Sequence, residues 1–354
     1  MRFMRFSAAV FLLLWCARIA AQEAKPNAPI RVKVVVVAMF ERGEDTGDTP
    51  GEFQYWVERE HLDQVLPLPA GYHHLRMNQD GVVGLLAGVG TAKATASVMA
   101  LGLDPRFDLS KAYWLVAGIG GGDPNDVSLG SAVWVDHVID GDLAFEIDAR
   151  QMPADWPTGY VPLGKSTPYE KPVDAQRAGV FALNSRLTAW AFSLTRGVPL
   201  ADSEDLKKFR ARFPGFPNAL RPPFVAEGDQ ISSSTFWHGS KMEDWANEWV
   251  RYYTGGGGNY MVCAMEDSGI LQALAFLSQA GRVAPERVIV LRTVSNYDRE
   301  PPGSSTAESL RSLAAGNYSG YYPALEAAET VGDRVVRDIV THWDERAAEI
   351  PHVP

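Results

Sequence analysis

The chain of 354 residues has only two cysteines, Cys16 and Cys263. Cys16 falls in an N-terminal segment that we expect to be removed, and Cys263 alone cannot form an internal disulfide. Cys263 lies in an apolar run typical of a strand, which favours a buried structural thiol over a nucleophile. The seven histidines show no i, i+4 pair, so neither residue type gives the spacing of a zinc site. We therefore expect no metal centre.

Several catalytic signatures are also missing. The glycine run at residues 118–122 is followed by Asp123 and Pro124, so the last glycine of a dinucleotide fingerprint and the helix start after it are absent. The chain contains no Walker motif and no Gly-x-Ser-x-Gly elbow. These absences argue against a nicotinamide or flavin enzyme, a P-loop NTPase and a serine hydrolase built on that elbow. We expect no organic cofactor.

Long apolar runs are confined to the N-terminus. Arg2 and Arg5 precede an apolar stretch at residues 8–15, and the small residues at 19–21 follow it. This layout is typical of a secretory signal peptide over residues 1–21. A lipoprotein signal centred on Cys16 is the less favoured alternative. We therefore expect a periplasmic or secreted protein.

Negative charge dominates what remains. Loss of Arg2, Arg5 and Arg18 with the signal segment would change the formal charge from −10 to −13. An acidic surface argues against nucleic acid and anionic membranes as partners. No later stretch approaches the roughly 18 apolar residues that a membrane-spanning helix needs.

The remaining chain alternates strand and helix patterns, which predicts a three-layer α/β fold. Its central sheet should be mostly parallel or mixed and flanked by helices. We expect residues 22–30 to form a flexible leader and residues 31–354 a single domain, with a helical insertion or lid at 170–222. The β-branched runs that predict strands are at residues 32–39, 82–87, 112–117, 131–139 and 288–294.

Two polar clusters lie where neighbouring elements meet. Glu266 and Asp267 open an apolar segment with helical spacing, and Asn296 and Asp298 follow the strand predicted at 288–294. Ligands of open α/β sheets bind at the carboxyl ends of the strands, so these groups could converge on one small polar ligand. The alternatives are a helix cap for the first pair and a simple turn for the second.

Three further segments are candidates for the same site. Each has a structural alternative: a packing turn for the glycines, a solvated loop for the charges, and core packing for the rings. The glycine turn could present backbone N–H groups to a phosphate or sugar, and the rings could stack on a nucleobase. The candidate residues are Gly88, Gly90 and Thr91 in the turn, Glu41 and Arg42 in the charged loop, and Asp229, Phe236 and Trp237 near the rings.

Taken together, these motifs resemble the purine nucleoside permease family, whose sequences look like divergent members of the nucleoside phosphorylase fold. The resemblance runs through essentially the whole chain after the leader. It is carried by VVVVAMFE (34–41), GVGTAKATAS (88–97), KAYWLVAGIGGGDPNDVSLGSAVW (111–134), FEIDAR (145–150), TGYVPLG (158–164), VAEGDQISSSTFWHG (225–239), AMEDSG (264–269) and RTVSNYDREPPGSS (292–305).

The resemblance implies roles for individual residues. Met265 and Glu266 match a motif that binds ribose hydroxyls, and Ser295-Asn296 matches one that contacts a purine ring nitrogen. Residues 228–230, which include Asp229, resemble the strand of the base pocket. Glu41 falls near the position of a water-activating glutamate. The family also implies a nucleoside ligand and allows a homo-oligomer.

Two departures from the family pattern bear on the reaction. Asn296 cannot protonate a leaving base as an aspartic acid can, so Asp298 or an amide hydrogen bond would have to serve. Lys93 stands where phosphorylases often carry an arginine. Three interpretations stay open: cleavage of a purine nucleoside by phosphate or water, capture of the nucleoside for uptake without turnover, and nutrient storage. Inorganic phosphate would be a co-substrate only in the first.

Overall fold

A computed structural model of the chain describes residues 28–170, 179–316 and 319–353. The predicted signal segment, most of the predicted leader and residues 171–178 of the predicted insertion lie outside these ranges. The strands are β1 Ile30–Arg31, β2 Val34–Ala38, β3 Gln64–Leu66, β4 Leu75–Met77, β5 Val82–Leu86, β6 Phe107–Asp108, β7 Tyr113–Gly122, β8 Ala132–Asp140, β9 Ala144–Glu146, β10 Tyr160–Pro162, β11 Val180–Ala182, β12 Val225–Ser232, β13 Tyr260–Ala264 and β14 Val288–Tyr297.

Helices separate many of these strands along the chain. A 3-10 turn, Pro285–Arg287, leads into β14. The helices are α1 Gln54–Arg59, α2 Thr91–Leu103, α3 Ser185–Thr195, α4 Glu204–Arg210, α5 Ser240–Tyr253, α6 Asp267–Gln279, α7 Thr306–Ala314, α8 Tyr321–Thr341 and α9 Trp343–Ala348.

Ten strands form one mixed sheet. Its order is β11-β8-β12-β13-β7-β2-β5-β4-β3, and β14 pairs with both β7 and β8. Because β14 joins β7 to β8, the strands β7, β13, β12, β8 and β14 close into a ring. The pairs β2–β5, β2–β7, β7–β14, β8–β12 and β12–β13 are parallel, and the other pairs are antiparallel. The mixed sheet predicted from the sequence is confirmed.

Helices cover both faces of the sheet. Every residue of β2 is buried, as the continuous β-branched sequence predicts for a central strand. Val98 of α2 and Leu277 of α6 belong to the apolar cluster on one face, and Val335 of α8 belongs to the cluster on the other. The sheet therefore forms the middle of three layers.

Two strands run further than the sequence predicts. β7 continues through the glycine run to Gly122, and β14 continues to Tyr297, where the sequence predicts a strand end at residue 294. Asn296 and Tyr297 pair with Gly121 and Gly122 after a register shift next to Val294. The glycines permit this pairing because a Cβ on Gly121 would lie 1.9 Å from the Asp298 carboxylate.

The described part of the predicted insertion contains two helices, one strand and irregular segments. It contains α3 and α4, and its strand β11 pairs antiparallel with the edge of β8. Asn184 caps α3 by accepting from the backbone N–H groups of Arg186 and Leu187. None of residues 179–222 lines the cavity described next.

Candidate functional site

A cavity of about 370 Å³ lies at the carboxyl edge of the sheet. Ligand cavities in proteins commonly have volumes of about 300–1,000 Å³. The strands β2, β7, β13 and β14 all end at this cavity, and β2, β7 and β14 run parallel to one another, as expected for a ligand site of an α/β sheet. The lining is formed by Met39, Phe40, Arg42, Glu52, Val89, Ile119, Gly120, Gly121, Ser233, Thr235, Phe236, Trp237, Cys263, Ala264, Met265, Glu266, Ser295, Asn296 and Tyr321.

Glu266 brings two of the predicted motifs together. It lies at the N-cap of α6, and its carboxylate accepts a hydrogen bond from the backbone N–H of Gly90 at 3.1 Å and from that of Met265 at 3.2 Å. Burial raises the pKa of Glu266, and the nearby Arg292 guanidinium opposes that shift. Met265 also lines the cavity, so the predicted Met-Glu pair faces the ligand space.

Asp267 has a different position from its neighbour. Its side chain is fully buried, accepts hydrogen bonds from Arg292 Nη2 at 2.6 Å and Gln230 Nε2 at 2.7 Å, and does not line the cavity. Arg292 also donates to the carbonyl oxygen of Ile119 and lies 3.4 Å from Glu266 Oε2. Asp267 therefore holds the guanidinium that orients Glu266, and the structure places it behind the site.

Glu52 is the second carboxylate of the cavity. Its Oε2 accepts from Met39 N–H at 2.8 Å and its Oε1 from Ile119 N–H at 2.7 Å. Burial raises the pKa of Glu52 to about 8, although Arg292 acts in the opposite direction; the nearby Glu266 adds to the rise. A carboxyl group with such a pKa can exchange a proton near neutral pH.

Glu41, the glutamate singled out in the sequence, is engaged elsewhere. Its carboxylate accepts from the backbone N–H groups of Phe53 at 3.0 Å and Gln54 at 2.6 Å, and from Gly51. These groups lie at the start of α1, where a carboxylate satisfies free N–H donors. Glu41 is absent from the cavity lining, and the glutamate of this loop that reaches the cavity is Glu52, eleven positions later in the chain.

At the end of β14, Asn296 lines the cavity and Asp298 lies behind it. Asn296 Oδ1 is 3.0 Å from Ser295 Oγ, and its Nδ2 donates to the carbonyl oxygen of Tyr297 at 3.2 Å. The Asp298 carboxylate accepts from the Tyr260 hydroxyl and from Cys263 Sγ, and burial raises its pKa to about 7. Cys263, predicted to be buried, is only partly so and borders the cavity.

Aromatic side chains border the cavity. Phe236 is 45% exposed, whereas Trp237 is buried and packs edge-to-face against Trp245 at 5.8 Å between ring centroids. Arg42 extends over the ring of Tyr321, with 4.5 Å between its guanidinium carbon and the ring centroid. Phe236 therefore has a free face for a ligand, while Trp237 also supports the core.

The remaining predicted site residues lie next to the cavity or beyond it. In the glycine turn only Val89 belongs to the lining; Gly90 holds Glu266, and Thr91 lies 2.6 Å from Ser234 between their hydroxyl oxygens. Gly88 lies beside Tyr72, and a Cβ there would come within 2.9 Å of that ring. Asp229, predicted to lie near the base, is buried in β12, where its carboxylate forms hydrogen bonds with the ring of His137 and the backbone N–H of Asn259.

Sequence reasoning overlooked Glu52, Arg292 and Tyr321. Only Arg292 carries a signal, because a lone arginine interrupts a β-branched strand that the sequence predicts to be buried. Glu52 stands in a polar loop with no periodicity, and Tyr321 begins α8 far along the chain. Their convergence is a property of the tertiary structure.

Comparisons with known proteins show the family and the fold of the chain. The family described as purine nucleoside permease (NUP) matches residues 31–351. The chain belongs to the purine nucleoside permease family. It is 28% identical over 329 residues to a purine nucleoside permease of Candida albicans, covering 92% of this chain and 79% of that protein. It is 26% identical over 362 residues to a probable purine nucleoside permease of Schizosaccharomyces pombe, covering 97% and 99%.

The fold is that of the nucleoside phosphorylases and nucleosidases. The structure of futalosine hydrolase from Helicobacter pylori superposes with a TM-score of 0.50 and 15% sequence identity, covering 87% of this chain and 98% of that one. Among the residues that the structure describes in this permease-family protein, no helix is both long and apolar enough to cross a bilayer.

Proposed function

We propose that the cavity binds a purine nucleoside and that the protein hydrolyses its N-glycosidic bond. The observation that carries the proposal is the meeting of Glu52, Glu266 and Asn296 at one cavity with an aromatic ring, Phe236, at its border. Relatives named purine nucleoside permeases support the ligand class, and a hydrolase of the same fold supports the reaction type.

Glu266 is the group proposed to bind the ribose. Its carboxylate is fixed by two backbone N–H groups and approached by Arg292, so it can accept hydrogen bonds from ribose hydroxyls without reorganising. Phe236 offers a flat face to the base, and the side chain of Asn296 offers an amide to a ring nitrogen. In this arrangement the ribose lies beside the carboxyl groups of Glu52 and Glu266, and the base lies against Phe236.

Glu52 is the group proposed to activate the attacking water. In the proposed reaction the water oxygen bonds to the anomeric carbon while the N-glycosidic bond breaks and its electron pair stays on the base nitrogen. Glu52 accepts the water proton, and the departing base takes up a proton through solvent, so the products are free base and ribose. Positive charge that develops on the ribose is stabilised by the nearby carboxylate of Glu266.

The charges around the cavity favour water over phosphate as the attacking group. Glu266 and, once it has lost its proton, Glu52 would repel a phosphate dianion, and Arg292 is already paired with Asp267. Arg42 is the one cationic side chain among the lining residues that the structure describes, and it lies over Tyr321. We therefore expect cleavage without added phosphate.

Capture without turnover is the second candidate. The observation in its favour is that Asp298, the predicted acid, points at Tyr260 and Cys263, while Asn296 can donate a hydrogen bond but cannot protonate the base. The name of the yeast relatives also fits an uptake component.

One assay separates these functions. Purified protein is incubated with adenosine, inosine and guanosine, with and without phosphate, and free base is quantified. Free base and ribose without phosphate support hydrolysis, and dependence on phosphate indicates phosphorolysis. Saturable binding without release of free base indicates capture. A protein that neither binds a nucleoside nor releases a base would contradict the proposal.

We further propose that the protein is exported, on the pattern of residues 1–21. The intact mass of the protein recovered from the expressing cells tests this proposal. A chain that starts at Gln22 supports it, and a chain that retains residues 1–21 contradicts it.

A further inference from the structure

Outside the cavity, three side chains place metal-ligating atoms close together. Asp45, His73 and His74 each offer one ligand atom, and these atoms all lie within 4.8 Å of one another. Asp45 is almost fully buried in the loop between β2 and α1, whereas the two imidazoles precede β4 and are 27% and 34% exposed. Water can therefore reach the side of the cluster opposite the carboxylate.

A hydrogen bond selects the tautomer of the neutral His73 ring. Its Nδ1 lies 3.2 Å from the carbonyl oxygen of His74, and a carbonyl can only accept, so Nδ1 carries the proton. In the neutral ring the lone pair is then on Nε2, which faces Asp45 Oδ1 at 3.5 Å. Two acceptors turned toward each other need a cation between them, either a proton or a metal ion.

The separation matches a coordination edge. Metal bonds of roughly 2.0–2.2 Å from imidazole nitrogen and carboxylate oxygen, at a tetrahedral angle, place the two ligand atoms about 3.3–3.6 Å apart. The 3.5 Å between His73 Nε2 and Asp45 Oδ1 lies in that range. His74 Nε2 lies 2.8 Å from Asp45 Oδ2 and would give up its proton to serve as the third ligand.

Arg76 completes the arrangement. Its Nε donates to Asp45 Oδ2 at 2.7 Å, on the oxygen that His73 does not face. Carboxylates that ligate metals are commonly held by a hydrogen bond on the outer side, which orients the ligating oxygen. Arg76 thus leaves Asp45 Oδ1 available.

We propose that Asp45, His73 and His74 bind one divalent transition-metal ion of the Zn²⁺ or Co²⁺ type. Two imidazoles and a carboxylate suit such ions, with water in the remaining positions. The ion ties the loop that carries Arg42 and Glu52 to the strand β4. Its role is structural, because none of its three ligands lines the cavity.

Cobalt binding tests the proposal. The full-length protein is treated with a chelator, desalted and titrated with Co²⁺ while visible absorbance is recorded, and Zn²⁺ binding is measured by calorimetry. We expect one ion per chain, proton release on binding, and affinity about tenfold or more weaker in His73→Ala and His74→Ala. The matched control is His352→Ala, which removes an exposed imidazole near the C-terminus and should leave binding unchanged.

Two results would overturn the metal site. One is a folded wild-type protein that takes up no Co²⁺ or Zn²⁺ in a saturable manner, which needs no variant to interpret. The other is equal binding by wild type and a His73→Gln, His74→Gln double variant that keeps the size of both side chains. Nucleoside binding is measured in parallel, so the outcome for the metal stays separate from that for the cavity.

Discussion

Glu266 accepts a hydrogen bond from the backbone N–H of Gly90 at 3.1 Å, across 176 positions of sequence. The glycine turn and the Met-Glu motif, which look unrelated along the chain, therefore form one wall of the cavity. A backbone N–H group of the turn holds the carboxylate of Glu266. The conformation of the turn therefore has an explanation that requires no bound phosphate. This relationship supports a sugar at that wall.

Glu52 and Glu41 can be told apart by matched substitutions. Glu52→Gln should lower kcat by about 10²–10⁴-fold, because the amide cannot accept the water proton, while nucleoside binding stays near the wild-type value. Glu41→Gln should retain most turnover and lower the free energy of unfolding by about 1 kcal/mol, because Glu41 accepts from the start of α1. Steady-state kinetics and thermal unfolding measure both effects. The reverse pattern would return the catalytic role to Glu41.

The pH profile should report Glu52. Burial raises the pKa of Glu52 to about 8, and only the carboxylate can act as a base, so kcat/KM should rise with pH and level off above about pH 8. Since the folded state keeps a proton that the unfolded chain loses near pH 4.5, this group lowers stability as pH rises from about 4.5 to 8. A wild-type kcat/KM that is flat between pH 6 and 9 would contradict the assignment.

Glu266→Gln should weaken the binding of a nucleoside but not that of its free base. Hydrogen bonds to charged groups contribute about 1.5–3 kcal/mol, so the nucleoside Kd should increase by about 10–150-fold. The amide oxygen can still accept from Gly90, which keeps the turn in place. Calorimetry with adenosine and adenine makes the comparison. Equal losses for both ligands would mean that Glu266 does not bind the ribose.

Phe236→Ala should weaken nucleoside and free base alike. Stacking of a base on an aromatic ring is worth about 1–3 kcal/mol, which corresponds to about 5–150-fold in Kd. The matched control is Phe276→Ala, because Phe276 is 50% exposed on α6 and does not line the cavity. Unchanged affinity in Phe236→Ala, or an equal loss in the control, would exclude stacking on Phe236.

The sequence predicted the parts of the site that depend on local pattern. Glu266 and Asn296 follow from a strand end and a helix start, because these patterns fix where a side chain leaves the sheet. The sequence does not separate Glu266 from Asp267, since neighbouring residues at a helix start point in different directions and only tertiary contacts show which one meets Arg292.

The residues that could not be predicted from the sequence are brought together by contacts between distant segments. Glu52 belongs to an irregular loop, and its direction follows from the N–H groups of Met39 and Ile119 that bind it. His73 and His74 are adjacent, so a search for helical metal spacing passes over them, and Asp45 joins them only through folding.

The glycines of β7 have a consequence for altering what this protein recognises. Gly120 abuts the backbone of Cys263 and Gly121 abuts Asp298, so one wall of the cavity is bare main chain with no side chain to shorten. Any larger residue there would force two strands apart. Attempts to broaden or narrow ligand choice should therefore target the opening, at Val89 and Phe236, where side chains can change without disturbing the sheet.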